Sequence, residues 1–336
     1  MLSLATPDLE KAVRKIIVWA AVFAASLTFA TKAWAQDAQT YPSKPIRFIV
    51  PVPPGGGVDA LARMIGEVLR NKWGQPVLIE NRGGFGGNIG AEAVFRAEPD
   101  GYTILFTSGS VLVTNKLLYS TLNYDPDLLS PVSFVAANYN ALIVKPKLGA
   151  DSVQKLIALG KANPDSINYA SPGTGTGSHL TAELFKGMAG ISMAHIPYKG
   201  TAPAMADIMS GHISATFGEL GSFLPHIRSG KVRILAVTSE NRAPALPEVP
   251  VMNDILPGFL AKPWTGIVAP PKTPSAITMK ISAAVAEGLK HPDVARRLAE
   301  RQIEPVGGSP EDMVVFMRQE LDRWGKIIRT MGIKAD

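Results

Sequence analysis

The chain has 336 residues, of which 46% are hydrophobic, with a formal charge of +6 and no cysteine. The missing thiols exclude disulfides, thiolate catalysis and zinc–thiolate sites, and the scattered Lys and Arg lack the aromatic interleaving of a nucleic-acid surface, so no nucleic-acid partner is expected. Roughly 300 residues beyond the leader carry enough apolar material for two cores, so two lobes are expected.

Residues 1–35 read as a signal peptide. Lys11, Arg14 and Lys15 precede an apolar run over 16–30, and Ala33-Trp34-Ala35 supplies the small-x-small pattern of a cleavage site. A membrane-spanning helix is the rival reading, but the run falls short of the roughly 20 residues that a span needs. A mature periplasmic protein beginning at Gln36 is therefore expected. Losing Lys11, Arg14, Lys15 and Lys32 together with Asp8 and Glu10 lowers the formal charge from +6 by 2 to +4.

The mature chain opens on a β-branched run over 46–51, bounded by prolines, which predicts a short buried strand. The turn Val52-Pro53-Pro54-Gly55-Gly56-Gly57 follows, and Leu61, Ile65, Val68 and Leu69 then share one stripe at helical spacing. A strand, a glycine turn and a helix in that order aim unpaired N–H groups and the positive end of the helix dipole into the turn. That makes 52–57 a candidate anion site, with an ordinary tight connection as the alternative. The two prolines stiffen one wall while the glycines let a ligand touch backbone.

Further strands are predicted over 75–81 and 102–106, with a helix that starts in the 82–90 loop and runs through 97 between them and the polar turn Thr107-Ser108-Gly109-Ser110 after them. Strand and helix alternate, which predicts an α/β fold built on a mostly parallel sheet with helices on both faces and ligands beyond the carboxyl ends of the strands. After an extended stretch over 131–144 the alternation restarts. Helices are expected over 151–162, capped by Ser152 or Asp151, then from about 178 to 188 and over 201–209. Strands are expected over 167–170, 195–198, 213–217 and 232–238. The loop Ser171-Pro172-Gly173-Thr174-Gly175-Thr176-Gly177-Ser178-His179 is a second glycine-rich turn. A proline-rich segment over 244–250, an apolar stretch from Trp264 and two helices over 274–290 and 310–331 contain too little strand for a third domain. The expected division is therefore 36–140 with 243–336 as one lobe and 141–242 as the other. Two crossings, near 140 and 240, would make a hinge.

Cofactor and catalytic motifs fail when tested. In Gly84-Phe85-Gly86-Gly87-Asn88-Ile89-Gly90 the last glycine is one place too late for a dinucleotide fingerprint, and the 173–179 loop lacks a G-K-[ST] ending. No serine sits in G-x-S-x-G, and the five histidines show no metal-ligand spacing. No catalytic assembly, metal or cofactor is expected. The hydroxyls and glycines at strand-to-helix turns of both halves suit a carboxylate, which needs only two or three N–H groups and a hydroxyl.

The strings Tyr41-Pro42-Ser43-Lys44-Pro45-Ile46-Arg47, Pro51 to Asp59, Glu80-Asn81-Arg82 with Gly86-Gly87-Asn88-Ile89-Gly90, and Pro99-Asp100-Gly101-Tyr102-Thr103 resemble the Bug family. These are the periplasmic substrate-binding proteins of tripartite tricarboxylate transporters. The likeness continues through Ser171-Pro172-Gly173, Ser178-His179-Leu180, Pro197-Tyr198-Lys199-Gly200 and Leu246-Pro247-Glu248-Val249-Pro250, and it spans the mature chain in order. It implies a two-lobed, type II periplasmic-binding-protein fold that closes on a small organic carboxylate and delivers it to integral-membrane permease subunits. It also implies that the ligand is held at the first glycine turn, here 53–56 leading to Asp59, and at the turn beginning with Ser171 and Pro172. Pro53-Pro54 and Thr174-Gly175-Thr176-Gly177 depart from the family pattern, which leaves the far end of the ligand open between aliphatic di- or tricarboxylates and aromatic carboxylates.

The expected ligand-binding residues are Val52, Pro53, Pro54, Gly55, Gly56, Asp59, Thr107, Ser108, Ser110, Ser171, Thr174, Thr176, Gly177 and Glu219. Asp59 is expected to cap the first helix or orient water, since an acid beside a carboxylate would repel it. Glu219 is read either as selecting a ligand that carries a donor or as a surface acid. Trp264 is read as core or hinge packing with stacking on a ligand as the alternative, and Tyr198 and Lys199 as anion contacts with a solvated charge as the alternative for Lys199. A monomer is expected. An exported hydrolase or lyase working on a carboxylate in the same cleft is the competing function.

Overall fold

The computed structural model describes residues 40–164 and 166–334; the predicted signal peptide and its cleavage point at Gln36 lie outside the described residues. Two sheets organise the chain. The first is built from β1 (Ile46–Val50), β2 (Val77–Asn81), β3 (Thr103–Ser108), β4 (Ser130–Asn138), β10 (Trp264–Ala269) and β11 (Ile303–Gly308), in the order β11-β4-β10-β3-β1-β2. The second holds β5 (Asn140–Val144), β6 (Asn168–Ser171), β7 (Ala194–Pro197), β8 (Ala215–Glu219) and β9 (Arg233–Val237), in the order β7-β6-β8-β5-β9.

In each sheet the leading strands run in one direction and the strand arriving from the other lobe is inserted against them. β1 pairs parallel with β2 and β3, while β10 lies antiparallel between β3 and β4. Likewise β6 pairs parallel with β7 and β8, while β5 lies antiparallel between β8 and β9. The expectation of mostly parallel sheets therefore holds for the direction of most strands, but both sheets are mixed. The physical reason is that β5 and β10 enter directly from the neighbouring lobe, without the helical crossover that a parallel pair requires.

The chain passes from the first sheet to the second at Tyr139, between β4 and β5, and returns between β9 and β10. Alternation along β5 sends Ala141 and Ile143 into one core of the second lobe and Leu142 and Val144 into another. Val249, Val251, Met252 and Phe259, on the returning segment, are buried in these same cores, so that segment packs on the second sheet before β10 rejoins the first.

The longer helices among the described residues are α1 (Gly57–Trp73), α2 (Asn88–Phe95), α3 (Val153–Ala162), α4 (Gly177–Ala189), α5 (Thr201–Ser210), α6 (Leu220–Arg228), α7 (Ser275–Leu289), α8 (Pro292–Glu300) and α9 (Pro310–Met331). In α1 the buried stripe is Leu61, Ala62, Met64, Ile65 and Leu69, and Gly74 ends the helix in the left-handed conformation. Ser309 and Asp312 form a reciprocal capping box at the start of α9. Met313 of α9 sits in the core of the first lobe, while Trp324 and Ile328 sit in a core of the second. The last helix thus spans both lobes. No helix among the described residues is long and apolar enough to cross a membrane.

The predicted boundary between β3 and the polar turn moves. Thr107 and Ser108 belong to β3, so the polar turn begins only at Gly109, followed by a wide helical turn over Ser110–Thr114. The helices α6 and α8 and the strand β11 were not predicted. In α6, Pro225 interrupts the pattern, and β11 carries Pro305 with a half-exposed face, so neither period is visible in the sequence.

Candidate functional site

The site is assembled from turns at the carboxyl ends of the leading strands of both sheets. On the first lobe, β1 runs into the turn 52–57 and α1. Gly56 stands at the N-cap with no side-chain cap, so the first N–H groups of α1 are not claimed by its cap residue. Gly55 has φ +92°, a conformation that a side chain would strain.

Asp59 neither caps α1 nor reaches into the cleft. It is buried, its Oδ2 accepts from the Gly55 N–H at 3.0 Å and from Arg63 Nε at 3.1 Å, and its Oδ1 accepts from Asn81 Nδ2 at 2.9 Å. Asn81 Nδ2 also donates to the Val52 carbonyl at 3.1 Å. Asp59 thus reaches back from the first turn of its helix to pin the glycine turn to the end of β2. Burial alone would raise its carboxyl, but the bonds from Arg63, Gly55 and Asn81 outweigh this and hold it below the usual carboxylate range.

Pro53, Pro54 and Gly55 are exposed, and Val52 and Gly56 are half-buried. The glycines of the 83–90 loop pack against this turn: a side chain at Gly83 would press on Pro53, and one at Gly90 would meet Pro51 and the Arg82 carbonyl. That close packing accounts for a glycine run that carries no cofactor fingerprint.

At the end of β3, alternation separates the expected pair. Thr107 is fully buried, while Ser108 Oγ lies 2.9 Å from Ser110 Oγ. Ser108, Ser110, Gly177, Thr181, Trp264 and Trp324 help line a cavity of about 50 Å³ between the lobes. That space suits a few waters and is far below the roughly 300 Å³ of an ordinary ligand pocket. Trp264 packs edge-on against Phe134 and Phe316 at centroid distances of 5.5 and 5.3 Å, so it belongs to the core, as read from the sequence.

On the second lobe, β6 ends at Ser171, which is fully buried. Its Oγ donates to the Gly173 carbonyl at 3.0 Å, accepts from the Gly173 N–H at 3.2 Å, and lies 2.7 Å from His195 Nε2. The histidine at this serine is therefore His195 on β7, although His179 is nearer in sequence. His179 Nδ1 instead accepts the Gly175 N–H at 3.2 Å. The two imidazoles stack at 4.3 Å, with Tyr169 stacked on His195 at 4.8 Å. Burial lowers both imidazoles, and with His179 alongside, His195 is lowered to about 4, so both rings are neutral near pH 7. Thr176 Oγ1 donates to the Gly173 carbonyl at 2.7 Å. Ser171, Thr176 and the two histidines together buttress the turn 172–176 from within.

The turns of the two lobes meet. Tyr119 Oη, from the first lobe, donates to the Thr174 carbonyl at 3.2 Å. The β-position of Gly56 lies 3.6 Å from Thr201 Oγ1, and that of Gly200 lies 3.5 Å from Pro53. A side chain at Gly57 would overlap Glu219 Oε2. Glu219, at the end of β8, accepts through Oε1 from Asn138 Nδ2 at 3.0 Å, across from the first sheet. Glu219 is therefore not a free surface acid: burial pushes its carboxyl up against the smaller opposing effects of Asn138 and the charge of Arg301. Tyr198 Oη is tied to Asp207 at 2.5 Å, and Lys199 is exposed.

The structure thus brings 52–57, Thr174, Thr201 and Glu219 to one inter-lobe seam, with Ser108, Ser110 and Gly177 at the small cavity, and it withdraws Asp59, Thr107 and Ser171 into supporting roles. Sequence reasoning missed Tyr119, Asn138, Asn140 and Thr201. Two asparagines inside the extended 131–144 run were the available signal, because polar side chains in an otherwise apolar strand demand partners. No group of three or more His, Asp or Glu among the described residues could hold a metal ion.

Comparison with known proteins places these observations in a family. Residues 61–333 match the model of the tripartite tricarboxylate transporter family receptor. Protein BugT of Bordetella pertussis is 37% identical over 301 residues, which is 89% of this chain and 92% of BugT. The solved structure of Rpa4515 from R. palustris with adipate superimposes with a TM-score of 0.84 at 35% identity, covering 88% of this chain and 99% of that one. The periplasmic binding protein BugD gives a TM-score of 0.83 at 32% identity, covering 88% and 99%.

Proposed function

This chain belongs to the tripartite tricarboxylate transporter receptor family, and on that premise we propose that it is a periplasmic receptor that closes its two lobes on a small organic carboxylate and passes it to permease subunits in the membrane. The observation that carries the reading is the seam itself. The helix start at 56–57, uncapped by a side chain, lies against the Thr201 hydroxyl of the other lobe, and the buttressed turn 172–176 meets the first lobe at Tyr119 and Gly86, so an anion held along this seam meets donors from both lobes. Binding of adipate by a relative of 35% identity supports a carboxylate ligand. A ligand touching both lobes only when they meet favours that state by its differential affinity. The crossings at Tyr139 and between β9 and β10, with α9 laid across both lobes, are the elements that flex.

Ligand binding without turnover is favoured over hydrolysis. Ser171 and His195 lie at hydrogen-bond distance, but Ser171 is fully buried with its hydroxyl committed to Gly173. A nucleophile needs access to substrate as well as a base. The N-terminal leader pattern and the periplasmic relative BugD support export, with the mature chain starting at Gln36.

The test is a thermal-shift panel on the chain from Gln36, with adipate, succinate, citrate, benzoate, aspartate and glucose as probes. A ligand that binds only the folded state adds about 2.7 kcal/mol of stability at a hundredfold excess over its Kd. A shift confined to carboxylates is expected. A shift with glucose, or none with any carboxylate, would overturn the reading.

A further inference from the structure

Resting on the carboxylate reading above, we propose that Asn138, Asn140 and Glu219 form a subsite on the floor of the inter-lobe cleft that takes a hydroxyl group, so that the receptor prefers hydroxycarboxylates to their deoxy counterparts. Asn138 ends the last strand before the first crossing and Asn140 begins the next one, so the pair brackets the hinge at Tyr139. Residues two apart on extended backbone point to the same side. Asn138 Nδ2 donates to Glu219 Oε1 at 3.0 Å, and Asn140 is the register partner of Glu219 between β5 and β8, which makes their side chains cross-strand neighbours. The three side chains form one cluster.

Both asparagines are buried, at 3% and 1% exposure, yet Asn138 Oδ1 and Asn140 Nδ2 have no hydrogen-bond partner among the described residues. A buried polar atom left without a partner is costly, and here one acceptor and one donor belong to residues two apart in the chain that both neighbour Glu219. The chemistry of the missing group follows from that pair. A methylene answers neither atom. An ammonium only donates and leaves Asn140 Nδ2 unanswered, whereas a carboxylate only accepts, leaves Asn138 Oδ1 unanswered and crowds the acid of Glu219. A hydroxyl does both. Positions two apart on a strand are separated by about 7 Å at their α-carbons, a gap that one oxygen can bridge with a hydrogen bond on each side.

The cluster also adjoins the anion turn, because Glu219 Oε2 lies against Gly57 at the start of α1. A ligand whose carboxylate lies at 55–57 therefore presents its nearest carbons to this floor, and a hydroxyl on one of them meets the asparagines.

Calorimetric titration of the chain from Gln36 with matched pairs tests this: malate against succinate, citrate against propane-1,2,3-tricarboxylate, and lactate against propionate. In whichever pair binds, the hydroxylated member should bind at least tenfold tighter. In Asn140→Leu that preference should fall to within about twofold. Equal affinities in the wild-type protein would overturn the subsite, and they are also the result expected if an internal water answers the two amides. A preference that persists in folded Asn140→Leu would overturn its assignment to these residues. If no member of any pair binds while another carboxylate of the thermal-shift panel does, the subsite is overturned and the carboxylate reading stands; if no carboxylate binds in either experiment, both fail. The wild-type comparison stands even if the variant does not fold.

Discussion

Gly57 takes ordinary helical backbone, so its lack of a side chain is a matter of space: Glu219 Oε2 from the other lobe occupies the place of a β-carbon. Gly57→Ala should leave the fold intact, since alanine favours a helix over glycine by about 1 kcal/mol. It should push Glu219 away and hold the lobes apart, weakening carboxylate binding at least tenfold. In the Gly57→Ala/Glu219→Ala double variant the loss should be smaller than the sum of the two single losses, because residues in contact are energetically coupled. Strictly additive losses by calorimetry would contradict the contact. Asp59 makes a different prediction. Asp59→Asn keeps the shape but weakens the bonds to Gly55, Arg63 and Asn81, so denaturant melts should show a loss of about 1–3 kcal/mol, the range for a disrupted buried charged hydrogen bond. An unchanged midpoint would mean that the turn is held without it. The sequence shows why an acid follows a glycine turn but cannot show its partner: Asn81 lies on the neighbouring strand, and only the β1–β2 register brings it to Asp59.

At the scale of elements, the turn 172–176 depends on β7 for its shape, through His195 on Ser171 and the stacked ring of His179 on Gly175. His195 is neutral in the fold, lowered from 6.5 to about 4 first by burial and then by His179, with Glu183 and Lys186 the charged groups nearby. The unfolded chain therefore takes up its proton first as pH falls below 6.5. Stability from this group is fully present above 6.5, declines as pH falls, and is lost by about 4. Chemical denaturation at pH 7, 5 and 4 should show a decline that is shallower in His195→Gln, and identical slopes would refute the role. The same element shows what the sequence carried. The strand, the glycine loop and the helix around Ser171 were legible because local periodicity and turn chemistry specify them. The pairing of Ser171 with His195 was not, because the parallel β6–β7 ladder that joins them is a long-range feature. Asn138 and Asn140 escaped for a related reason. In a line of sequence they read as polar interruptions of an extended segment, and only the crossing between sheets turns them into a floor.

At the scale of the molecule, the two sheets are joined at Tyr139, by the segment between β9 and β10, and by α9 packed across both lobes. The two-lobed architecture could be read from the restart of strand–helix alternation after 131–144. The sharing of the last helix could not, because its amphipathic pattern says that it packs without saying on what. Because the chain has no cysteine, a pair of spin labels can be introduced cleanly at the exposed residues Arg70 on α1 and Gln154 on α3, one per lobe. The distance between them, measured with each probe of the thermal-shift panel, tests the central claim directly. A carboxylate that raises the melting temperature should shorten and narrow the distribution, while glucose should leave it unchanged. A stabilising carboxylate that leaves the distribution untouched would place its site outside the seam between the lobes and contradict closure.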